Sequence, residues 1–345
     1  MNRFIKRAFL FTLVCTGWNV VQAQFTEILS VQPRHIKINA SAFSGVRVVD
    51  SRLDTANVGF IHKGGLNRQD IVTTTLPLKE ELTASVNKLI ADASKQDAVL
   101  CVNIRQFVLS EYWGVGGEHG VFRISAVFYL KQASNYRKLL TVNTRVNVKS
   151  TLGDVTKRLL DTIPEVWGRL VQQAAGYDSE HSDAATQLTA RYPQDLDIAE
   201  KKAIPVYNVD LPQKGLYATF DDFKNNHPSL QVFFEQPDGA DLPEVYELKE
   251  DGKKGKTIPF KKYYAVCDGK KIYISGVYAL YPLTKNDNDF YFESIGREGG
   301  DQAPLEQNPH ETPMGKDIFS SDFTKFQFKI DHVNGNFIPV RKVYK

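Results

Sequence analysis

The residues best placed to do chemistry sit in a few short stretches, and each has a plainer structural reading beside it. Gly114-Val115-Gly116-Gly117-Glu118-His119-Gly120 is rich enough in glycine to cradle a phosphate. That chemistry needs a helix N-terminus to follow and aim its N–H groups. Here Val121, Ile124, Ala126 and Phe128 read as a strand, so the favoured reading is a flexible hairpin tip, which Tyr112, Trp113 and His119 could make a contact surface. Asp287 and Asp289 carry the oxygens of a calcium site, but the run lacks the glycine and the distal glutamate of a calcium loop and reads as an exposed turn. His181 lies among Asp178, Glu180 and Asp183 in a polar segment, where solvated charge is favoured over a metal cage.

Charge and aromatic patterning raise two binding possibilities. Residues 249–271 hold eight lysines against three acids. Lys253, Lys254, Lys256, Lys261 and Lys262 could face an anionic glycolipid or membrane surface. Lysines that protect exposed strand edges explain the same run and are favoured. Tyr273, Tyr278, Tyr281 and Tyr291 could stack on a sugar, although aromatics in sheets are usually structural. No Gly-x-Ser-x-Gly, His-Glu-x-x-His, P-loop or Cys-x-x-Cys pattern occurs, and the seven histidines include no pair at helical ligand spacing. The sequence therefore assigns no catalytic residue, no metal and no cofactor. A net charge of +3, from 43 basic and 40 acidic residues, gives no reason to expect nucleic acid.

The elements that must position these residues fall into two groups. Arg3, Lys6 and Arg7, an apolar run at 8–14 and Val21-Gln22-Ala23 have the order of a signal peptide, so residues 1–23 are expected to be removed and the mature chain to start at Gln24. The apolar run is far shorter than the ~20 residues that span a bilayer, so no transmembrane segment is expected in the mature chain. Cys15 offers lipidation as an alternative, but Thr12-Leu13-Val14 before it departs from the usual lipoprotein signal. After cleavage at Ala23 only Cys101 and Cys267 remain, and buried free thiols are favoured over a bridge.

Residues 24–176 read as an α+β domain. Val46, Val48 and Asp50 start a strand, Ile71-Val72 mark another, and Pro77 opens a helix to about Lys95. Residues 99–110, 120–131 and 138–149 read as three strands of an antiparallel sheet. In the last, Leu140, Val142, Thr144, Val146 and Val148 alternate with polar neighbours. A second helix carries Val155, Leu159, Ile163, Trp167 and Val171 on one face, and Pro164 is expected to kink it. Residues 177–203 change composition and read as a linker with a short helix at 184–191. Residues 204–345 read as a β-rich domain with a short helix at its start, where Thr219 caps Phe220 and Phe223 and Asn226 with Pro228 ends the turn. Asp268-Gly269 and Asn334-Gly335 are expected as two-residue hairpin loops, with Phe326, Phe328 and Ile330 facing the core.

Val48-Val49-Asp50-Ser51-Arg52, an early strand running into Asp-Ser-Arg, resembles small bacterial envelope lipoproteins, including accessory subunits of lipid-trafficking ABC transporters. The later helix, three-strand meander and terminal helix agree with that family in order. The resemblance spans roughly the first 150 mature residues. It implies an accessory protein without an active site of its own. The second domain resembles poorly characterised β-rich segments of secreted bacterial proteins, through residues 215–229 and the Asp-Gly hairpin. The expected role is thus an exported, non-enzymatic accessory protein that binds or helps assemble a cell-envelope component, with an envelope protein, glycolipid or glycan as partner. The expected place is the periplasm, the outer membrane or outside the cell. The alternative is a secreted carbohydrate-binding or carbohydrate-hydrolysing protein whose Asp/Glu pair converges only in the fold.

Overall fold

Apolar periods of two and of nearly four residues alternate along the first half of the chain, and the secondary structure follows them. The computed structural model describes residues 26–38, 43–63, 68–90, 98–114, 117–151, 154–176, 187–239, 242–276, 278–297 and 323–343. The first domain contains β1 (Thr26–Ile28), β2 (Gly45–Asp50), β3 (Gly59–Lys63), β4 (Arg68–Thr73), α1 (Leu78–Ile90), β5 (Val99–Gly114), β6 (Gly117–Gln132), β7 (Asn135–Ser150) and α2 (Thr156–Ala175). β8 (Gln187–Thr189) and α3 (Leu196–Lys202) connect it to the second domain. That domain contains β9 (Gly215–Tyr217), α4 (Phe220–Lys224), β10 (Val232–Glu235), β11 (Glu244–Leu248), β12 (Lys254–Thr257), β13 (Ala265–Cys267), β14 (Ile272–Ser275), β15 (Leu280–Asn286), β16 (Asp289–Arg297), β17 (Phe323–Ile330) and β18 (Phe337–Lys342). Residues 1–25, where the signal peptide is expected, and His181 with its neighbouring acids lie outside the described residues. Among the described residues no helix is long and apolar enough to cross a membrane.

The two-domain α+β architecture expected from the sequence is present. The first sheet runs β1-β4-β3-β5-β6-β7-β8, with β2 also on β5. Its centre is the antiparallel β5–β6–β7 meander. Parallel pairs of β1 with β4, and of β2 and β3 with β5, make the whole sheet mixed. Leu78, Leu82, Val86 and Ile90 of α1 and Leu159, Ile163, Trp167 and Val171 of α2 pack on one face against Val102, Ile104, Phe122 and Phe128. Pro164 lies inside α2 without ending it. The opposite face carries a smaller cluster in which Cys101, Val127, Tyr129 and Tyr136 meet Leu188 and Leu196.

The connecting segment is therefore built onto the first sheet. β8 pairs with the start of β7, and the short helix lies at Leu196–Lys202 rather than at 184–191. Tyr136 and Leu188 are buried partners there, which explains why an otherwise polar stretch adds a strand.

The second domain is antiparallel, with a seven-stranded sheet β18-β17-β16-β15-β14-β13-β9 and a three-stranded sheet β10-β11-β12. Thr219 and Asp222 form a reciprocal capping box on α4, and Phe326, Phe328 and Ile330 are buried, both as expected. The hairpin loops differ from expectation. Asp268 N donates to Lys271 O, so that loop centres on Gly269-Lys270, one residue later than Asp-Gly. The last hairpin closes through Asp331 N to Asn336 O, and within it only Gly335 has positive φ, at +77°. It is a wider loop, since Asp331 and His332 are drawn into contacts described below. The two-residue loop with positive φ at both centres is Asp287-Asn288, at +49° and +63°.

Candidate functional site

A β-bulge places the central side chain. Ile104 pairs with Ala126 and Gln106 with Ser125, so Arg105 has no partner residue on β6. Such an extra residue bends the strand and re-aims its side chain. On the other edge of β5, β2 pairs only as far as Ile104 and β3 only from Leu109. Gly59 starts β3 at φ +129°, so close to β5 that a Cβ would lie 1.8 Å from the Leu109 carbonyl oxygen. Arg52 fills the gap between β2 and β3. Its guanidinium forms a two-point pair with Asp50, at 2.9 and 2.8 Å, and donates to the Asn57 and Phe107 carbonyls at 2.8 and 3.3 Å. The Asp-Ser-Arg motif thus serves as a buried clasp where the sheet edge changes strands.

Arg105 reaches across to the second domain. Its Nε lies 3.2 Å from Asp331 Oδ1, and its Nη1 lies 3.6 Å from Glu200 Oε2 and 3.8 Å from Asp197 Oδ1. Glu200 Oε1 also accepts from Tyr129 Oη at 2.7 Å and pairs with Lys138 Nζ at 2.8 Å. Its Oε2 lies 2.9 Å from His332 Nε2. Asp331 Oδ2 accepts from Ser125 Oγ at 2.9 Å, and Asn334 Nδ2 donates to the same hydroxyl oxygen at 3.0 Å. Lys201, one residue along α3 from Glu200, pairs with Asp289 of β16 at 2.7 Å. One helical turn therefore bonds to both domains.

Burial opposes ionisation of Glu200, but the His332 hydrogen bond and the Lys138 and Arg105 charges outweigh it and hold the carboxyl well below its usual range. Burial also works against the Asp331 charge, and Arg105, the Val333 N–H and the Ser125 hydroxyl reverse that and lower it. Burial first, then the Glu200 charge, raises the Tyr129 phenol, which stays a donor. Asp197, Glu200 and His332 present ligand atoms within 4.8 Å of one another, the donor types of a metal site. These carboxylates already face Arg105 and Lys138, so a divalent ion would add positive charge beside two fixed cations. The donor set fits an ion-pair interlock better than a metal centre.

Beside the interlock, the two domains leave a cleft of about 390 Å³. Phe60 and Ile71 line it from the first domain, and Phe326, Ile338 and Val340 from the second. Arg52, Arg105 and Arg341 supply its cationic groups, and Asp54 is the one acid among its described lining residues.

The residues singled out from the sequence lie elsewhere. Tyr112 and His119 are cross-strand partners near the β5–β6 tip, their rings stacked at 5.0 Å, and His119 is buried. Trp113 lies in β5 opposite Glu118, and Val115 and Gly116 fall outside the described residues. Lys254 and Lys256 lie in β12, an edge strand, with exposed Lys253 just before it; Lys254 pairs with Glu235 and lies over the Tyr246 ring. Lys261 and Lys262 are exposed in the 3-10 turn Phe260–Lys262. Tyr273 is buried and Tyr281 packs on Phe292, while Asp289 is engaged by Lys201 and Lys329. Cys101 and Cys267 are free and buried, and burial pushes the Cys101 thiol up to about 12. Sequence reasoning passed over Arg105, Glu200, Asp331 and His332. The available signal was the polar run Asn103, Arg105 and Ser125 on strand faces that are otherwise apolar.

No family model and no curated protein matches the chain. Among solved structures it is similar to a Xanthomonas campestris protein assigned to the family model DUF330, with 15% identity, over 44% of this chain and 92% of that one, at a TM-score of 0.29.

Proposed function

We propose that the chain is an exported, non-enzymatic accessory protein that binds or helps assemble a cell-envelope component, with the interdomain cleft as its binding seat. The observation that supports this reading is the cleft itself, an apolar-walled space with three arginines in its lining at the junction of two domains. The clustered carboxylates beside it support a non-enzymatic role. Glu200 and Asp331 are held ionised by fixed cations, so neither keeps a proton to deliver as a general acid, and both are closed in by partners. The carbohydrate-hydrolase alternative asks for an open carboxylate pair among aromatic platforms, which this cluster does not offer.

A pulldown from solubilised envelope with the mature protein tests the proposal, run beside Val340→Trp, which fills the cleft from a half-buried position. The expected outcome is an envelope component retained by the wild type and lost from the variant. Equal retention by both would move the binding seat away from the cleft, and release of oligosaccharide fragments from an envelope glycan would favour the hydrolase.

A further inference from the structure

We infer that the outer edge of β2, the one turned away from β5, is a docking groove for an extended segment of a partner protein, added to the first sheet as a further strand and carrying an acidic side chain beside Arg47. The groove shares no described lining residue with the interdomain cleft, so it stands or falls independently of the cleft as a binding seat.

The strand edge supplies the backbone. β2 pairs with β5 from Gly45 to Asp50, and among the described residues no strand pairs with its other edge. Ser51 N donates to Ile104 O at 2.8 Å where this ladder ends. Alternate residues of a strand bond to opposite sides, so Arg47 and Val49 turn their backbone groups to β5, and Val46 and Val48 turn theirs outward. An unpaired edge is a template for another chain, and proteins usually blunt it. The edge at β12 carries Lys254 and Lys256, and the edge at β18 carries Pro339 and a register shift against β17. β2 contains no proline and keeps one register along its length.

A helix supplies the wall. Lys79, Thr83 and Asn87 recur every four residues along α1, with Ala84 beside them, and together with Val46 and Val48 they line a groove of about 480 Å³. A groove between an open strand edge and a helix seats an added strand, in which main-chain hydrogen bonds give affinity and side chains give preference. Thr83 Oγ1 is turned back to the Lys79 carbonyl at 2.6 Å and Ala84 is small and exposed, so the helix leaves the edge accessible. Charge then selects the occupant. Val46 and Val48 belong to the α1 side of the sheet and Val49 to the opposite side, so Arg47 projects from that opposite side. Arg47 and Lys79 are exposed and form no ion pair among the described residues, and Glu80 is the one acid in the described lining. Two copies of this chain joined edge to edge would bring these cations toward their own counterparts, which is destabilising, whereas an acidic strand pairs with them. The occupant is therefore an acidic extended segment of another protein.

Titration calorimetry on the mature protein tests this with two capped peptides, Thr-Val-Thr-Glu-Thr-Val-Thr and its counterpart with lysine at the centre. The glutamate peptide is expected to bind once per chain, at least tenfold more tightly than the lysine peptide, and to slow hydrogen exchange at the Val46 and Val48 amides. Arg47→Glu is expected to reverse the preference between the peptides. Ala84→Trp, which fills the groove from the exposed side of α1, is expected to weaken both at least tenfold with the circular-dichroism spectrum unchanged, and Val340→Trp to leave both unaffected. No binding of the glutamate peptide at millimolar concentration would overturn the groove as a docking site. Equal binding of the two peptides would overturn the acidic partner. Undiminished binding by Ala84→Trp, or protection of amides away from β2, would overturn the location. A wild-type dimer in sedimentation equilibrium that Ala84→Trp dissociates would give the edge to a second copy of the chain instead.

Discussion

Glu111 and Glu200 are both buried carboxylates, yet their surroundings push them in opposite directions. Around Glu200 fixed cations win. Around Glu111 burial dominates and raises the carboxyl to about 7, with Glu118 and Asp154 adding repulsion and the His62 N–H and Thr156 hydroxyl only partly opposing it. A folded-state value above the ordinary 4.5 means that the folded protein holds a proton the unfolded chain has released. This contribution is therefore most favourable below about 4.5 and declines as pH rises to about 7. Glutamine keeps an oxygen to accept both hydrogen bonds and carries no charge at any pH. Glu111→Gln is expected to stabilise the protein at pH 8 by on the order of 1–3 kcal/mol and to flatten the stability slope between pH 5 and 7. Urea unfolding at those pH values reads this directly. A variant with the wild-type slope would mean that Glu111 is ionised throughout.

At the scale of elements, the C-terminal hairpin does two things at once. β17 buries Phe326, Phe328 and Ile330 in the second domain, while the loop after it presents Asp331 and His332 to the first. Phe328 has no exposed surface and stacks on Phe292 at 5.4 Å, so Phe328→Ala is expected to cost about 3–5 kcal/mol through lost burial and a cavity. Gly335 combines φ +77° with a position where a Cβ would sit 2.4 Å from the Phe220 ring. Gly335→Val therefore meets strain and a clash together, and a loss of about 2–4 kcal/mol is expected. Thermal melts check both, and an unchanged melting temperature for either would remove the hairpin from the core. The strand's inward face was legible because a period of two survives in Phe326, Phe328 and Ile330. So were α1, α2 and the β5–β7 meander, whose apolar spacing is regular outside the bulge at Arg105. The loop was not. Asn-Gly is the strongest short-range signal for a tight turn, and here long-range pairing overrides it by recruiting Asp331 and His332. The bulge at Arg105 was equally hidden, since its partner Asp331 lies 226 residues away and no local pattern encodes that distance.

For the whole molecule, the issue is how firmly the domains are coupled. Sequence composition separates two apolar patterns with a polar stretch between them, and that much of the architecture was readable. What it did not reveal is that residues 187–202 add a strand to one sheet and a helical turn shared by both domains, because polar side chains look alike whether they face water or a distant counter-ion. We expect the described interlock to make the two domains melt as one unit at pH 7. Glu200 and Asp331 both have lowered folded-state values, so their stabilisation is complete above the unfolded carboxylate range and is lost as pH falls through the lower, folded values. Acid should then release the domains from one another before either core fails, since Leu159, Trp167, Phe290 and Phe328 carry no charge. Differential scanning calorimetry is expected to give one transition at pH 7 and two below about pH 4, where the unfolded-state carboxylates take up protons. Asp331→Asn should show the two-transition pattern already at pH 7, because it leaves Arg105 without its nearest charge, a loss on the order of 3–5 kcal/mol for a broken buried pair. Two resolved transitions for the wild type at pH 7 would mean that the ion pairs form on a contact too weak to couple the domains.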